Sequence, residues 1–343
     1  MSRHSGITGE LPLDDEIGRE QEYVSMLYHR LDELREQAAR RLTEELRTTG
    51  GTRQAQSQRD SSVRMYAEQV EQFSAVEDGL CFGRLDGEDD SRHYIGRIGI
   101  LDRDGDLDPL LIDWRAPAAR PFYLATAANP QGVRRRRHLR TRQRKVTGLN
   151  DEVLDITAAS PTGHEELTGE ASLLAALNAG RSGRMRDIVE TIQVEQDKVI
   201  RAPLPGVLVV QGGPGTGKTA VALHRAAYLL YTYRRELSTR GVLLVGPNAT
   251  FLRYISHVLP ALAETGVLLR TQADLFPGVQ ARRVESAEAA ALKGRTVMVE
   301  VLEAAVRDRQ RVPDEPMEIE VEREILTLHP ETVRAARDRA RRS

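Results

Sequence analysis

The chain has 343 residues, which is enough for two or three domains that each bury a core. Its hydrophobic content of 40%, charged content of 29% and formal net charge of −2 are typical of a globular protein and exclude a uniformly basic nucleic-acid binder. The single cysteine, Cys81, excludes an intrachain disulfide and a cysteine-based zinc site. No run approaches the roughly 18 apolar residues of a membrane span, and the first residues lack a signal-like apolar core, so we expect a cytoplasmic protein.

Two long helical patterns occupy the first 80 residues. Apolar side chains recur at alternating spacings of three and four over residues 17–46, and the pattern resumes over residues 63–80 after the break at Gly50-Gly51. Narrow apolar seams on both sides of a glycine break predict an antiparallel coiled-coil hairpin, which we assign to residues 1–85. Such a hairpin has little core beyond its seam, so it either reaches a partner or folds back against the main domain.

The periodicity changes to two after residue 92. Residues 94–100 and 110–112 predict two antiparallel strands joined by an acidic turn at 102–106. We assign residues 86–160 to a small β-rich module. Directly after its second strand, Asp113 and Arg115 are spaced to pair across a turn, a structural role that we prefer to a catalytic one.

A run of basic residues follows within the same module. Residues 134–145 contain eight cationic side chains and no acid. The run predicts either a positive surface for phosphate or an acidic protein, or simply a solvated strand and turn. No aromatic residues are interleaved, which disfavours a stacking platform for single-stranded nucleic acid.

A phosphate-binding loop is the strongest functional signal in the chain. The pattern G-x-x-x-x-G-K-[ST] is complete over residues 212–219, between a predicted apolar strand at 207–210 and a predicted helix from 220 on. Glycines let consecutive N–H groups turn inward around a phosphate at the positive end of the helix. Lys218 would reach the β- and γ-phosphates of ATP, and the Thr219 hydroxyl would bind Mg²⁺, so both have catalytic roles. The predicted loop residues are Gly212, Gly213, Pro214, Gly215, Thr216, Gly217, Lys218, Thr219 and Ala220.

Two further helices are predicted before this loop, at residues 171–179 and 185–200. The second carries Gln196. A glutamine amide both donates and accepts hydrogen bonds, which suits the edge of an adenine ring. The residues alone do not distinguish such a base-reading glutamine from an ordinary surface glutamine.

The segments after the loop continue an α/β pattern. Strands at 241–248 and 266–271, with a helix at 251–262 between them, predict a parallel RecA-like sheet. We assign residues 161–285 to the first part of a RecA-like P-loop domain.

The last segment, residues 286–343, is predicted as a truncated helical insertion with an exposed strand at 317–321 and a basic helix at 331–342. Hydrolysis needs an apolar strand that ends in an acid, to hold Mg²⁺ and orient water. Residues 297–300 fall in a helical pattern, and residues 111–113 precede the loop. We therefore expect an N-terminal fragment without appreciable turnover of its own.

With these residues in view, the sequence resembles HelD, the RNA polymerase-associated helicase-like ATPase family within the UvrD/Rep/PcrA class of superfamily 1. The resemblance is carried by residues 94–99 with 112–117, by 138–142 with 146–153, and by 191–196 with 211–219. Residues 223–229 also resemble the UvrD-type continuation of motif I. The first two blocks separate HelD from ordinary UvrD helicases.

The resemblance implies roles for several segments. Gln196 would read adenine, residues 212–219 would form motif I, and residues 246–250 would lie in the region of motif Ia. The hairpin would enter the secondary channel of the polymerase, and the family's role would be ATP-linked release and recycling of polymerase. The second RecA-like domain, the Asp-Glu motif and the arginine finger of the family are missing from this sequence.

We therefore expect an α/β protein with a helical hairpin, a small β-module and an incomplete RecA-like P-loop domain with a parallel sheet. The expected function is the ATP-binding part of a motor that binds RNA polymerase, with ATP and Mg²⁺ as cofactors. Nucleic acid is a further candidate partner, and no membrane is expected. The alternatives are a UvrD-like 3′–5′ DNA helicase or translocase, and a non-hydrolysing interaction fragment.

Overall fold

The computed structural model describes residues 13–48, 50, 52–102, 108–154, 188–264, 266–276, 278, 283, 285–321 and 324–340. The chain divides into two compact units, Met1–Pro277 and Gly278–Ser343. Among the helices that the structure describes, none combines the length and the apolar character that a bilayer crossing requires.

Two helices form the predicted hairpin, α1 (Leu13–Arg47) and α2 (Arg53–Ala75). The Thr52 hydroxyl caps α2 by accepting a hydrogen bond from the backbone N–H of Ala55 at 3.3 Å. The helices run antiparallel, because Arg41 contacts Tyr66 whereas the earlier Arg35 contacts the later Glu77. The prediction of an antiparallel helical pair is confirmed.

The first half of α1 packs against the β-module instead of against α2 alone. Its buried side chains share a core with residues of the sheet, and they are Val24, Leu27, Tyr28 and Leu31. Further along, Leu46 is 62% exposed. The hairpin is thus anchored at its base, as the alternative of folding back on the main domain predicts, and solvated towards the far end of α1. Contact with a partner stays a prediction.

A six-stranded sheet follows, in the order β3-β4-β2-β1-β5-β6. Its strands are β1 (Cys81–Gly87), β2 (Arg92–Gly96), β3 (Ile100–Leu101), β4 (Pro109–Asp113), β5 (Val133–Arg142) and β6 (Lys145–Val153). A short 3₁₀ turn at Pro117–Ala119 and the one-turn helix α3 (Pro121–Leu124) lie between β4 and β5. One face of the sheet packs on α1, and the other packs around Trp114 and Phe122.

The sheet differs from its prediction in two places. The sequence pattern puts Leu80 on the second helix, but α2 ends at Ala75 and the unpredicted strand β1 begins at Cys81. Strand β1 is fully buried although its sequence contains two glycines, an arginine and an aspartate, and so it lacks the apolar alternation of a strand. In addition, β4 pairs antiparallel with β3 as predicted but parallel with β2. The predicted turn at 102–106 lies mostly outside the described residues.

The rest of the first unit carries the phosphate loop. Its helices are α4 (Val194–Ile200), α5 (Lys218–Thr232), α6 (Arg234–Arg240), α7 (Ala249–Ile255) and α8 (Val258–Ala261). Strands β7 (Val242–Gly246) and β8 (Val267–Thr271) pair in parallel, as predicted, and a 3₁₀ turn at Gln272–Asp274 follows. A complete RecA-like domain stays a prediction.

Three predictions in this region need correction. No strand forms at 207–210, because no described residue pairs with this stretch and a strand exists only through such hydrogen bonds. The helix predicted over 185–200 starts at Val194 within the described residues, and the helix predicted over 251–262 is broken into α7 and α8 by a turn. The helix predicted at 171–179 lies outside the described residues.

The second unit consists of α9 (Ala287–Lys293), α10 (Met298–Arg309), the antiparallel pair β9 (Met317–Val321) and β10 (Glu324–Leu328), and α11 (Pro330–Ala340). The predicted helices and the strand at 317–321 are confirmed. Strand β10 was not predicted.

Candidate functional site

The predicted phosphate loop lies directly before a helix, as its motif requires. Helix α5 begins at Lys218, and Gly217 caps it with a positive φ of 83°. Gly215 has a φ of 78°, a second conformation that favours glycine. The 15-residue helix points its positive end at the loop, where its first N–H groups have no partner within the helix. This geometry suits an anion.

The lysine of the motif is folded over the loop. Lys218 Nζ donates hydrogen bonds to the carbonyl oxygens of Gly212 at 2.7 Å and Gly213 at 2.6 Å. The Thr216 hydroxyl donates to Gly213 O at 2.9 Å and closes the turn. Residues 211–216 are exposed, so the ammonium group can exchange these carbonyl oxygens for the oxygens of an incoming phosphate.

Gln196 lies beside the loop. Its Oε1 accepts a hydrogen bond from the backbone N–H of Gln193 at 3.1 Å, as the N3 member of a capping box at the start of α4. Its Nε2 lies 3.1 Å from the position that a β-carbon would take on Gly217. Glycine at position 217 is favoured by its positive φ, and a β-carbon there would lie in close contact with the Gln196 amide. The structure brings Gln196, Gly217 and Lys218 into one site.

The remaining predicted residues start the helix. Thr219 is half-buried at the second position of α5, and Ala220 is buried at the third. Within the described residues, no group of three His, Cys, Asp or Glu side chains could hold a metal ion. A magnesium ion here would depend on the Thr219 hydroxyl and on oxygens of the nucleotide.

The acidic partner that hydrolysis needs is not supplied by the two candidate segments. Glu300 lies within helix α10 and not at the end of a strand, as such an acid would. Asp113 ends the apolar strand β4, but its carboxylate is held by Arg115 through bonds of 2.8 Å and 2.6 Å, as the sequence spacing predicts. That pair is buried and structural.

Most of the basic run is neutralised by acids of the same chain, while Arg140, Arg142 and Lys145 are exposed. Five of its arginines pair with carboxylates of the same chain, which come from other segments of the sequence. The pairs are Arg134 with Asp90 at 3.1 Å, Arg135 with Asp86 at 2.7 Å, Arg136 with Glu152 at 3.0 Å, Arg137 with Asp151 at 2.6 Å, and Arg144 with Asp32 at 2.7 Å. The interpretation as a charged surface is wrong for these five, because acids of the same chain neutralise them. The strand and turn are confirmed by β5 and the turn at residues 143–144, where Arg134 is exposed and the other four arginines are buried or half-buried.

Arg144 ties the base of the hairpin to the sheet. It lies in the turn between β5 and β6, with a φ of 63°, and its guanidinium bonds Asp32 on α1 and Glu77 after α2. These hydrogen bonds hold the pKa of both carboxyl groups below their usual values. The turn therefore fixes the direction of both helices relative to the module.

The module also contacts the helices α4 and α5, which flank the predicted phosphate loop. The Trp114 ring meets the His224 ring edge to face, with centroids 5.7 Å apart. Arg201, at the end of α4, donates to the carbonyl oxygens of Trp114 at 2.8 Å and Arg115 at 2.9 Å. The segment that follows β4 is thus packed against both α4 and α5.

Two residues of α5 that the sequence interpretation left without a role hold α4 in place. His224 accepts a hydrogen bond from the backbone N–H of Ile188 at 3.2 Å, and Arg225 bonds carbonyl oxygens at the end of α4. The available signal was their position within 223–229, which resembles the continuation of motif I. That resemblance alone does not reveal which backbone groups they bind.

Comparison with known proteins supports the resemblance for the first part of the chain. Residues 17–166 match the family model of the N-terminal domain of DNA helicase IV HelD. The matched segment includes the base of the hairpin and the whole six-stranded sheet. This match supports a HelD-like, helicase-associated protein. A comparison with curated proteins gives no match.

Proposed function

We propose that this chain is the ATP-binding part of a cytoplasmic HelD-like motor that binds RNA polymerase and uses ATP to release it from nucleic acid. One observation carries the proposal. A segment that matches the HelD N-terminal domain is joined, in one compact unit, to a glycine loop with Lys218 at the start of a helix. Gln196 beside that loop favours adenine as the base.

Each residue of the site would bind a different part of the nucleotide. The N–H groups at the start of α5 and the Lys218 ammonium would bind the β- and γ-phosphates, because several donors converge there. The amide nitrogen Nε2 of Gln196 would donate a hydrogen bond to adenine, while Oε1 continues to accept the hydrogen bond from the backbone N–H of Gln193. The Thr219 hydroxyl would complete the coordination of Mg²⁺. ATP supplies the transferable phosphate when it is bound.

The hairpin is the proposed contact with polymerase. Its base is fixed by a buried core and by Arg144, while the side chain of Leu46 near the far end of α1 is exposed. A rigidly based helical arm can reach into a partner without losing its direction. The release of polymerase would depend on this arm and on the nucleotide state of the loop.

Two measurements test the proposal. Isothermal titration with MgATP should give saturable binding, and the chain should be retained on immobilised core RNA polymerase. A variant with Gly-Gly-Ser in place of residues 36–72 should bind ATP normally and lose the polymerase. Absence of ATP binding by the intact chain contradicts the nucleotide site, and retention of the shortened chain contradicts the role of the hairpin.

A UvrD-like DNA helicase is the second candidate, and the match of residues 17–166 to the N-terminal domain of DNA helicase IV HelD favours it. It predicts ATPase activity stimulated by single-stranded DNA and displacement of a strand. The third candidate, a non-hydrolysing interaction protein, is favoured by the structural engagement of Asp113 with Arg115. It predicts ATP binding without release of phosphate.

A further inference from the structure

Helix α4, which carries Gln196, is held by two consecutive side chains of the phosphate-loop helix α5. His224 binds the backbone N–H of Ile188, six residues before α4 begins, and Arg225 binds carbonyl oxygens at the end of α4. The residue that faces the base and the loop that faces the phosphates are therefore joined by a short and specific connection. The inference drawn from it depends on the ATP site proposed above.

His224 is fully buried, and its two ring nitrogens have different partners. Nδ1 lies 2.8 Å from the carbonyl oxygen of Ala220, so it must carry the proton and donate. Nε2 is then the acceptor for the N–H of Ile188 at 3.2 Å. One neutral tautomer satisfies both bonds, and it links the first turn of α5 to the segment that leads into α4.

Arg225 binds the other end of α4. Its Nη1 donates to the carbonyl oxygens of Val199 at 3.1 Å and Ala202 at 2.5 Å, and Nη2 donates to Pro203 O at 2.9 Å. The last carbonyl oxygens of a helix have no partner within it and carry partial negative charge, so a guanidinium group satisfies them well. The planar fork of arginine can reach several carbonyl oxygens at once, which an ammonium group cannot.

We propose that His224 and Arg225 are positioning residues for nucleotide specificity, because they fix the distance between the adenine-facing Gln196 and the phosphate loop. A nucleotide bridges these two elements, so its base is read correctly only if their spacing is constant. Loss of either anchor loosens α4 relative to α5, while Arg201 still holds the end of α4 to the module. Base discrimination then falls, whereas the phosphate loop, with its own glycines and Lys218, keeps its shape.

The test measures three ligands with each variant. Dissociation constants for ATP, GTP and inorganic tripolyphosphate are obtained by displacement of a fluorescent nucleotide from Arg225→Ala, Arg225→Lys, His224→Gln and Gln196→Ala. We expect Arg225→Ala to lower the preference for ATP over GTP, measured as the ratio of their dissociation constants, by about tenfold, which is the effect of losing one hydrogen bond. The dissociation constant for tripolyphosphate should change less than about twofold. Arg225→Lys should recover part of the preference. Arg240→Ala, at an exposed ion pair on α6, is the matched control and should change nothing.

The double variant Gln196→Ala/Arg225→Ala tests whether Arg225 acts by positioning Gln196 or by stabilising the whole site. If Arg225 acts through Gln196, the double variant has the same ATP to GTP ratio as Gln196→Ala alone. Additive losses, an unchanged ratio in Arg225→Ala, or an equal loss of tripolyphosphate binding would overturn the proposal. If Arg225→Ala does not fold by circular dichroism, Arg225→Lys and His224→Gln decide by the same ratios. Wild type that binds tripolyphosphate but shows no preference for ATP overturns this inference and leaves the phosphate site intact, whereas failure to bind any of the three ligands removes both.

Discussion

The six-stranded sheet and the two-stranded sheet of the first unit bury their apolar side chains to different extents. In the six-stranded sheet both faces are covered, by α1 on one side and by the cluster around Trp114 on the other. In the pair β7 and β8, one face packs on α5 and α7 while Leu243, Val245 and Leu268 on the other are about half exposed. The stretch 207–210 before the loop is also exposed, with Val207 at 93%.

The difference shows where each region gets its stability. The six-stranded sheet is covered on both faces, and many of its charged residues pair with acids of α1 or of the sheet itself. The predicted phosphate loop is positioned by α4, α5 and their contacts with the module, and the stretch 207–210 before it pairs with no described strand. Four predictions follow from this contrast, from the largest expected effect to the smallest.

Substitution in the core of the module should be far more damaging than substitution in the stretch before the loop. Leu139 is 1% exposed, so Leu139→Ala should lower the free energy of unfolding by about 2–5 kcal/mol. Val209 is 73% exposed, so Val209→Ala should cost under about 0.5 kcal/mol. Urea unfolding followed by circular dichroism measures both. Equal costs would mean that the stretch is packed in solution.

The buried ion network of the module gives a second large effect. Glu20 accepts hydrogen bonds from Arg84, from Arg137 at 2.8 Å and from the Tyr94 hydroxyl at 3.0 Å, and it is 2% exposed. Glu20→Ala leaves two buried cations short of a partner and should cost about 3–5 kcal/mol. Glu36→Ala, at an exposed pair with Arg40, is the control and should cost under about 0.5 kcal/mol. A similar small cost for both would show that α1 is not anchored through this network.

Substitution in the exposed loop should change the affinity for nucleotide and leave the stability of the fold almost unchanged. Lys218→Ala removes the ammonium group that faces the phosphates, so the affinity for MgATP should fall about 100-fold, equivalent to about 3 kcal/mol. The thermal midpoint should hardly change, because the side chain contacts only exposed loop carbonyls. Lys198→Ala, exposed on α4, is the control for loss of a charge near the site. Wild-type affinity in Lys218→Ala would contradict the site.

The smallest effect is a dependence on pH within the module. Burial lowers the pKa of His138 from the ordinary 6.5 to about 4, with Arg136 adding to the shift. The neutral ring is favoured in the fold, so its contribution to stability is complete above pH 6.5 and is lost as the pH falls towards 4. His138→Gln should remove this part of the acid destabilisation. An NMR titration of the imidazole with a midpoint near 6.5 would contradict the assignment.

The sequence by itself determined the helical hairpin, the parallel pair β7 and β8, the Asp113–Arg115 pair and the glycine turn before α5. Each of these depends on contacts between residues near one another in the chain or on a strict local motif. The loop needs a left-handed backbone conformation at Gly215 and Gly217, and the sequence motif itself places glycine at both positions.

The tertiary structure alone decided the rest. The basic run looked like a surface because several of its neutralising acids lie far away in the chain, where no periodicity can connect them. Asp86 is 49 residues from Arg135, and Asp32 is 112 residues from Arg144. Strand β1 was hidden because its polar residues are paired inside the fold. The stretch 207–210 has the composition of a strand but no partner among the described residues, and strand formation depends on hydrogen bonds to a neighbour that a single segment does not contain.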